Sequence, residues 1–128
     1  MGLERAGGVG GDGIGVSGVA TLDQTLADNG GATQNGTPLF CKNMPSLSVI
    51  AIPTTGAGAT ILIQVSVRGD ANVAATPQFV TIDTIVVAAG PGPAVLYERR
   101  FPANFFRVVM TPAAAVPTAV QIILGSAI

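Results

Sequence analysis

The chain has 128 residues, of which 10% are charged, with 6 Lys or Arg against 7 Asp or Glu and a formal net charge of −1. Such sparse, balanced charge gives no electrostatic pull toward nucleic acid or an anionic membrane, and the lack of histidine excludes Ser-His-Asp and Cys-His catalysis and histidine metal sites within the chain. A charged fraction far below the roughly 25% usual for soluble proteins points to surface that a partner covers.

The N-terminal stretch, residues 7–18, reads GGVGGDGIGVSG and contains G-x-G-x-x-G twice. A phosphate cradle needs a buried strand before those glycines and a helix after them, so that free N–H groups point at the pyrophosphate. Neither flank is present: MGLERAG precedes the run, and the stretch after it offers a weak helical segment over 21–27 before Asn29-Gly30-Gly31 breaks it. The glycines therefore read as backbone that orders only against another protein. Residues 1–38 are expected to form an extended arm, with Gly8, Gly10, Ile14 and Val16 as candidate contacts to a neighbouring subunit.

From residue 39 onward the pattern is that of strands. SLSVIAI, residues 46–52, places Leu47, Val49 and Ala51 together, and PTTGAG turns the chain into ATILIQVSVRGD. There Ile61, Ile63, Val65 and Val67 alternate with Leu62, Gln64, Ser66 and Arg68, so the two segments are expected to form a hairpin or neighbouring strands. PQFVTIDTIVVAAG follows, with Asp83 dividing two apolar runs, then AVLYERR, FFRVVMT and AVQIILGSA, punctuated by Pro-Gly-Pro, Phe-Pro-Ala-Asn and Thr-Pro. Residues 108–128 carry no charge, but Pro112 and Pro117 interrupt any helix and the end alternates as a strand, with Val120, Ile122 and Leu124 on one face, so no membrane span is expected. Six or seven short strands without a helix between them predict an all-β fold: an antiparallel β-sandwich or jelly roll over 39–128, carrying the Gly-rich arm.

Chemistry is scarce along this framework. Cys41 is the lone cysteine, which allows no intrachain disulfide, and beside Phe40 it reads as a small buried hydrophobe. Four of the carboxylates, Glu4, Asp12, Asp23 and Asp28, fall in the arm, and Asp70, Asp83 and Glu98 sit in separate turns or strands, so no catalytic pair is suggested. Arg68-Gly69-Asp70 falls where a strand meets a turn, which explains its glycine and aspartate without a receptor, and Asp70-Ala71-Asn72 lacks further calcium ligands at loop spacing. No catalytic residue, cofactor site or metal site is expected, and the chain reads as a non-enzyme. Arg99, Arg100 and Arg107 gather half of the basic charge near one hairpin, either as a solvated edge or as contacts to a partner's carboxylates and carbonyls. No signal peptide is apparent, so secretion by that route is not expected.

The order ATILIQVSVRGD, polar loop, FVTIDTIVV, Gly/Pro turn, LYERRFPANFFRVVMT and TAVQIILGSA resembles small β-sandwich structural proteins of tailed-bacteriophage virions, with Phe106-Arg107-Val108-Val109 and Leu124-Gly125-Ser126 at matching places. The resemblance covers residues 46–128. No aromatic follows the Gly-Asp turn, where related sandwiches often carry one, which argues against stacking on sugars. The resemblance implies a protein that decorates or cements a capsid, assembled in the host cytoplasm and located on the virion surface. Its partners would be the major capsid protein or other virion proteins and copies of itself, with a trimer the first expectation, and no nucleic acid or membrane. A lectin-like glycan-binding module of a tail or fibre, or a tail or connector component, is the alternative.

Overall fold

A computed structural model describes residues 19–41, 44–67 and 78–128. The described residues form β1 (Val19–Asp28), β2 (Gln34–Asn35), β3 (Leu39–Phe40), β4 (Ser46–Thr55), β5 (Ala59–Ser66), β6 (Val80–Val87), β7 (Val95–Arg100), β8 (Phe105–Pro112) and β9 (Thr118–Ala127). One sheet has the order β1-β9-β4-β7; the other runs β2-β8-β5-β6, with β3 also on β8. Among the described residues every ladder between these strands is antiparallel. With β2 and β3 sharing one edge position, these two four-strand orders are those of a jelly roll, in which successive strands alternate between layers except for the β5–β6 hairpin. The all-β sandwich expected from periodicity is the fold.

Period-two alternation produces the core directly. Leu47, Val49 and Ala51 on β4 and Val120, Ile122 and Leu124 on β9 face Ile61, Ile63 and Val65 on β5 and Phe106, Val108 and Met110 on β8. Each of these is almost fully buried, and together they fill the space between the sheets. Cys41 is buried as expected, its thiol donating to the Ala103 carbonyl at 3.4 Å.

Three expectations need correction. Residues 19–38 are not an arm: β1 pairs with β9 along its whole length, from Val19 opposite Ala127 to Asp28 opposite Thr118, and β2 pairs with β8. Residues 21–27 are accordingly strand instead of weak helix, since Ala20, Leu22 and Leu26 turn inward and Thr21, Asp23 and Thr25 outward. Gln24 occupies an inward position and hides that alternation. Second, β4 and β5 lie in different sheets, because Gly56 and Gly58, with φ of 98° and 88°, carry the chain across from one layer to the other. Third, Val67 lies beyond the end of β5 and is 68% exposed, so it does not continue the inner row. The interruption at Asp83 is a bulge inside a single strand, where the pairing passes from Ile63–Asp83 to Gln64–Thr81. Gly8, Gly10, Ile14 and Val16 lie outside the described residues, as do Arg68, Gly69 and Asp70.

Candidate assembly surface

The residues that alternate with the core on the first sheet build its outer face. Val19, Thr21, Asp23, Thr25 and Ala27 come from β1; Ala119, Gln121, Ile123, Gly125 and Ala127 from β9; Ser46, Ser48, Ile50, Ile52 and Thr54 from β4; and Leu96, Glu98 and Arg100 from β7. The register lines them into cross-strand rows. Asp23, Ile123, Ile50 and Leu96 form one row, and Thr21, Gly125, Ser48 and Glu98 form the next. The middle strands β9 and β4 contribute only apolar, small or neutral polar side chains. Charge is confined to the two rims, Asp23 on β1 and Glu98 with Arg100 on β7. Leu96, the second residue of β7, is 61% exposed.

Small side chains keep part of this face low. Ser46, Ser48 and Ala127 line an open depression of about 400 Å³ whose far wall is Glu98 and Arg100. A Cβ on Gly125 would stand 2.6 Å from the Ser48 hydroxyl oxygen, so glycine lets the two middle strands carry that hydroxyl between them. Four strands of up to ten residues span roughly 33 Å by 19 Å, or about 600 Å² of face. Two such faces in contact would bury about 1,200 Å², the lower bound for a specific interface.

The flanks of the sandwich are closed by polar clasps. On one side Arg99 reaches from β7 to β6, donating to the Ile82 carbonyl at 2.8 Å and lying 3.5 Å from the Asp83 carboxylate. The Tyr97 hydroxyl donates to the same carboxylate at 3.2 Å, and burial raises its pKa above the ordinary 10.0. On the other side Gln24 binds residue 37 twice: its amide donates to the Thr37 carbonyl at 3.2 Å and its carbonyl accepts from the Thr37 N–H at 2.7 Å. At the end of β1 the Asp28 carboxylate accepts from the Ala32 and Gly30 N–H groups and from Gln34, and these bonds, Ala32 first, hold its pKa below 3.8.

The three arginines singled out in the sequence are separated by this architecture. Arg99 serves the flank clasp. Arg100 stands on the first sheet's rim, donating to the Ser46 hydroxyl at 3.2 Å. Arg107 belongs to the opposite sheet, where it donates to Gln64 at 2.8 Å and its guanidinium lies 4.2 Å from the centre of the Phe79 ring. Partial burial lowers its pKa, although a guanidinium stays charged at any working pH. Each therefore has a partner within its own chain, and they do not form one cluster. Gln24 and Tyr97 carried no signal that sequence reading could use, because their partners at residues 37 and 83 are brought close only by the fold.

Among the described residues no group of three or more His, Cys, Asp or Glu side chains is placed to hold a metal ion. No described helix is long and apolar enough to cross a membrane.

No protein-family model matches the chain, and no curated protein matches it. Solved structures do resemble it. The crystal structure of PirA is similar over 80% of this chain and 90% of its own, at 19% identity and a TM-score of 0.50. What is shared is the all-β fold. A chain from the Bacillus endospore appendages, which form disulfide-linked pili, is similar over 89% of this chain and 92% of its own, at 18% identity and a TM-score of 0.43. The Yersinia pseudotuberculosis-derived mitogen is similar over 88% and 87%, at 11% identity and a TM-score of 0.44. None of the three connects the chain to a phage capsid.

Proposed function

We propose that the chain is a structural subunit whose work is non-covalent assembly, and that it decorates or cements the capsid of a tailed phage. One observation carries the assembly reading: the outer face of the β1-β9-β4-β7 sheet is broad, open and free of charge except at its rims. A solvated sheet face normally alternates polar and charged residues outward, whereas Ile123, Ile50, Ile52 and Leu96 stand outward here among serines, glycine and alanines. Such a surface suits burial against the major capsid protein or another virion protein, with no chemical step. The capsid placement is supported by the sequence resemblance over residues 46–128, in which Phe106-Arg107-Val108-Val109 falls on β8 and Leu124-Gly125-Ser126 lies near the end of β9. Residues 1–18 would add contact to a neighbouring subunit, and assembly would take place in the host cytoplasm.

The test is binding of the purified chain to phage shells from which it has been removed. Ile50→Asp and Leu96→Asp each place a carboxylate on the outer face without entering the core, and each is expected to weaken binding at least about tenfold while the thermal midpoint holds. Thr84→Asp, on the opposite sheet, is the control and binds normally. Shells that do not take up the parent chain, together with its absence from purified heads by mass spectrometry, would overturn the capsid placement.

A further inference from the structure

The sandwich has several strand edges, and all but one carry a device against pairing with another chain. β6 is kinked by its bulge and presents Asp83; β7 ends in Glu98-Arg99-Arg100, and Arg99 lies across the gap to β6. β2 and β3 are two residues each, with Pro38 between them. Short length, bulges, charge and proline are the ways in which edges are kept from adding strands. β1 is neither short nor bulged and has no proline, and the Gln24 clasp to Thr37 uses its side chain and not its main chain. It runs ten residues in unbroken register with β9, without proline, lysine or arginine, and its carboxylates are Asp23 and Asp28 alone. Among the described residues, no main-chain partner lies on the other side of Ala20–Asp28.

We propose that the β1 edge pairs with β1 of a second copy about a two-fold axis at Gln24, joining the two first sheets into one of eight strands. The choice of a second copy rests on self-complementarity. With Gln24 opposite Gln24, Leu22 falls opposite the second copy's Leu26 on the inner side, and Asp23 falls opposite its Thr25 on the outer side, where a hydroxyl can donate to the carboxylate. Both contacts occur twice, and Asp28 reaches only Ala20. Neighbouring registers lack this fit. A one-residue slip turns inward side chains outward; shifting by two residues one way sets Asp23 against Asp23, and by two the other way sets Leu22 against Asp28. The pair also joins the two outer faces into one, with the two Asp23 carboxylates at its seam. The inference deepens the assembly reading and rests on it. It makes the elementary unit a two-fold pair, and the trimer expected from the sequence would need a different contact.

Sedimentation of the full-length chain over a range of concentrations tests it, at low salt. The parent is expected to associate to a dimer. Thr25 is exposed on the outer face, so Thr25→Asp leaves the monomer folded but sets an aspartate against Asp23 at two places, weakening the dimer by about tenfold or more. Thr25→Lys sets opposite charges there and tightens it, with the gain lost in high salt. Thr84→Asp on the second sheet leaves association unchanged. A parent that is monomeric throughout, or association that responds equally to Thr25→Asp and Thr84→Asp, overturns the proposal. Should Thr25→Asp fail to fold, Thr25→Lys decides alone: tighter association supports the pairing, and unchanged or weaker association refutes it. Self-association is measured without shells, so failure here leaves the capsid reading standing, and failure of shell binding leaves this one.

Discussion

Ile122 occupies the middle of β9, opposite Gln24 of β1 on one side and Ala51 of β4 on the other, and is fully buried. A graded series at this position measures how tightly the two layers pack. Ile122→Val removes one methylene and should cost about 1 kcal/mol; Ile122→Ala leaves a cavity and should cost about 3 kcal/mol. A domain of this size has roughly 5–15 kcal/mol in total, so the alanine variant loses a substantial fraction of its stability and still folds. With a urea m-value of about 1.5 kcal/mol/M, its unfolding midpoint falls by about 2 M at unchanged m. Ile122→Asp is different in kind. The strands on either side, β1 and β4, carry no lysine or arginine, so the carboxylate has no cation beside it, and the loss of several further kcal/mol should abolish soluble expression. An alanine midpoint within about 0.5 M of the parent, or a soluble aspartate variant with an unchanged melting temperature, would refute the claim that this face is the interior.

The strand pairing, the turn at Gly56 and two buried acidic protons each lead to a further outcome. Removing residues 1–18 should leave the β circular-dichroism spectrum and melting temperature near those of the parent, whereas removing 1–28 deletes β1, uncovers β9 and should lose cooperative melting; equal behaviour of the two truncations would contradict the β1–β9 ladder. Gly56→Ala should lower stability by about 2–4 kcal/mol in urea unfolding, since φ is 98° and a Cβ would stand 2.5 Å from the Pro117 carbonyl oxygen, with wild-type stability as the contrary result. Burial raises the Cys41 thiol above 9.0 and the Tyr97 hydroxyl above 10.0, so both favour the folded state fully below those values and lose that contribution as pH rises toward their folded pKa values. Stability should therefore fall on the alkaline side starting near pH 9, and Cys41→Ala should delay the onset toward pH 10; an unchanged alkaline limb would remove Cys41 as its source.

Alternation alone made β4, β5 and β9 readable, because the central inward residues of each, Leu47 and Val49, Ile61 and Ile63, and Val120, Ile122 and Leu124, are large and aliphatic and the outward ones mostly are not. β1 was not readable for a local reason and a distant one. Gln24 stands inward and replaces an apolar residue with an amide, since its partner is the Thr37 main chain. The strand's ladder lies on β9, about a hundred positions away, where no local periodicity reports it. The same distance hid the sheet assignment of β4 and β5, which follow one another closely yet pair with β7 and β9 on one layer and with β6 and β8 on the other. Of the surface, the poverty of charge was visible in composition, but its gathering on one outer face became visible only with the register. The arginine cluster dissolved because Arg107 and Arg99, close in sequence, belong to opposite layers.

The pairing of Val19 with Ala127 sets the first and last described strand ends side by side, at the roughly 5 Å separation of facing residues in an antiparallel ladder. A linker of about three or four residues could join them, and the exposed residues 113–117 between β8 and β9 offer a place to reopen the chain. In that circular permutant β9 would open the polypeptide and β1 would follow it as a tight hairpin. The most distant ladder of the molecule would then become a local one, and because chains dominated by local contacts fold faster, the rearranged protein should reach the same sandwich sooner than the natural order does.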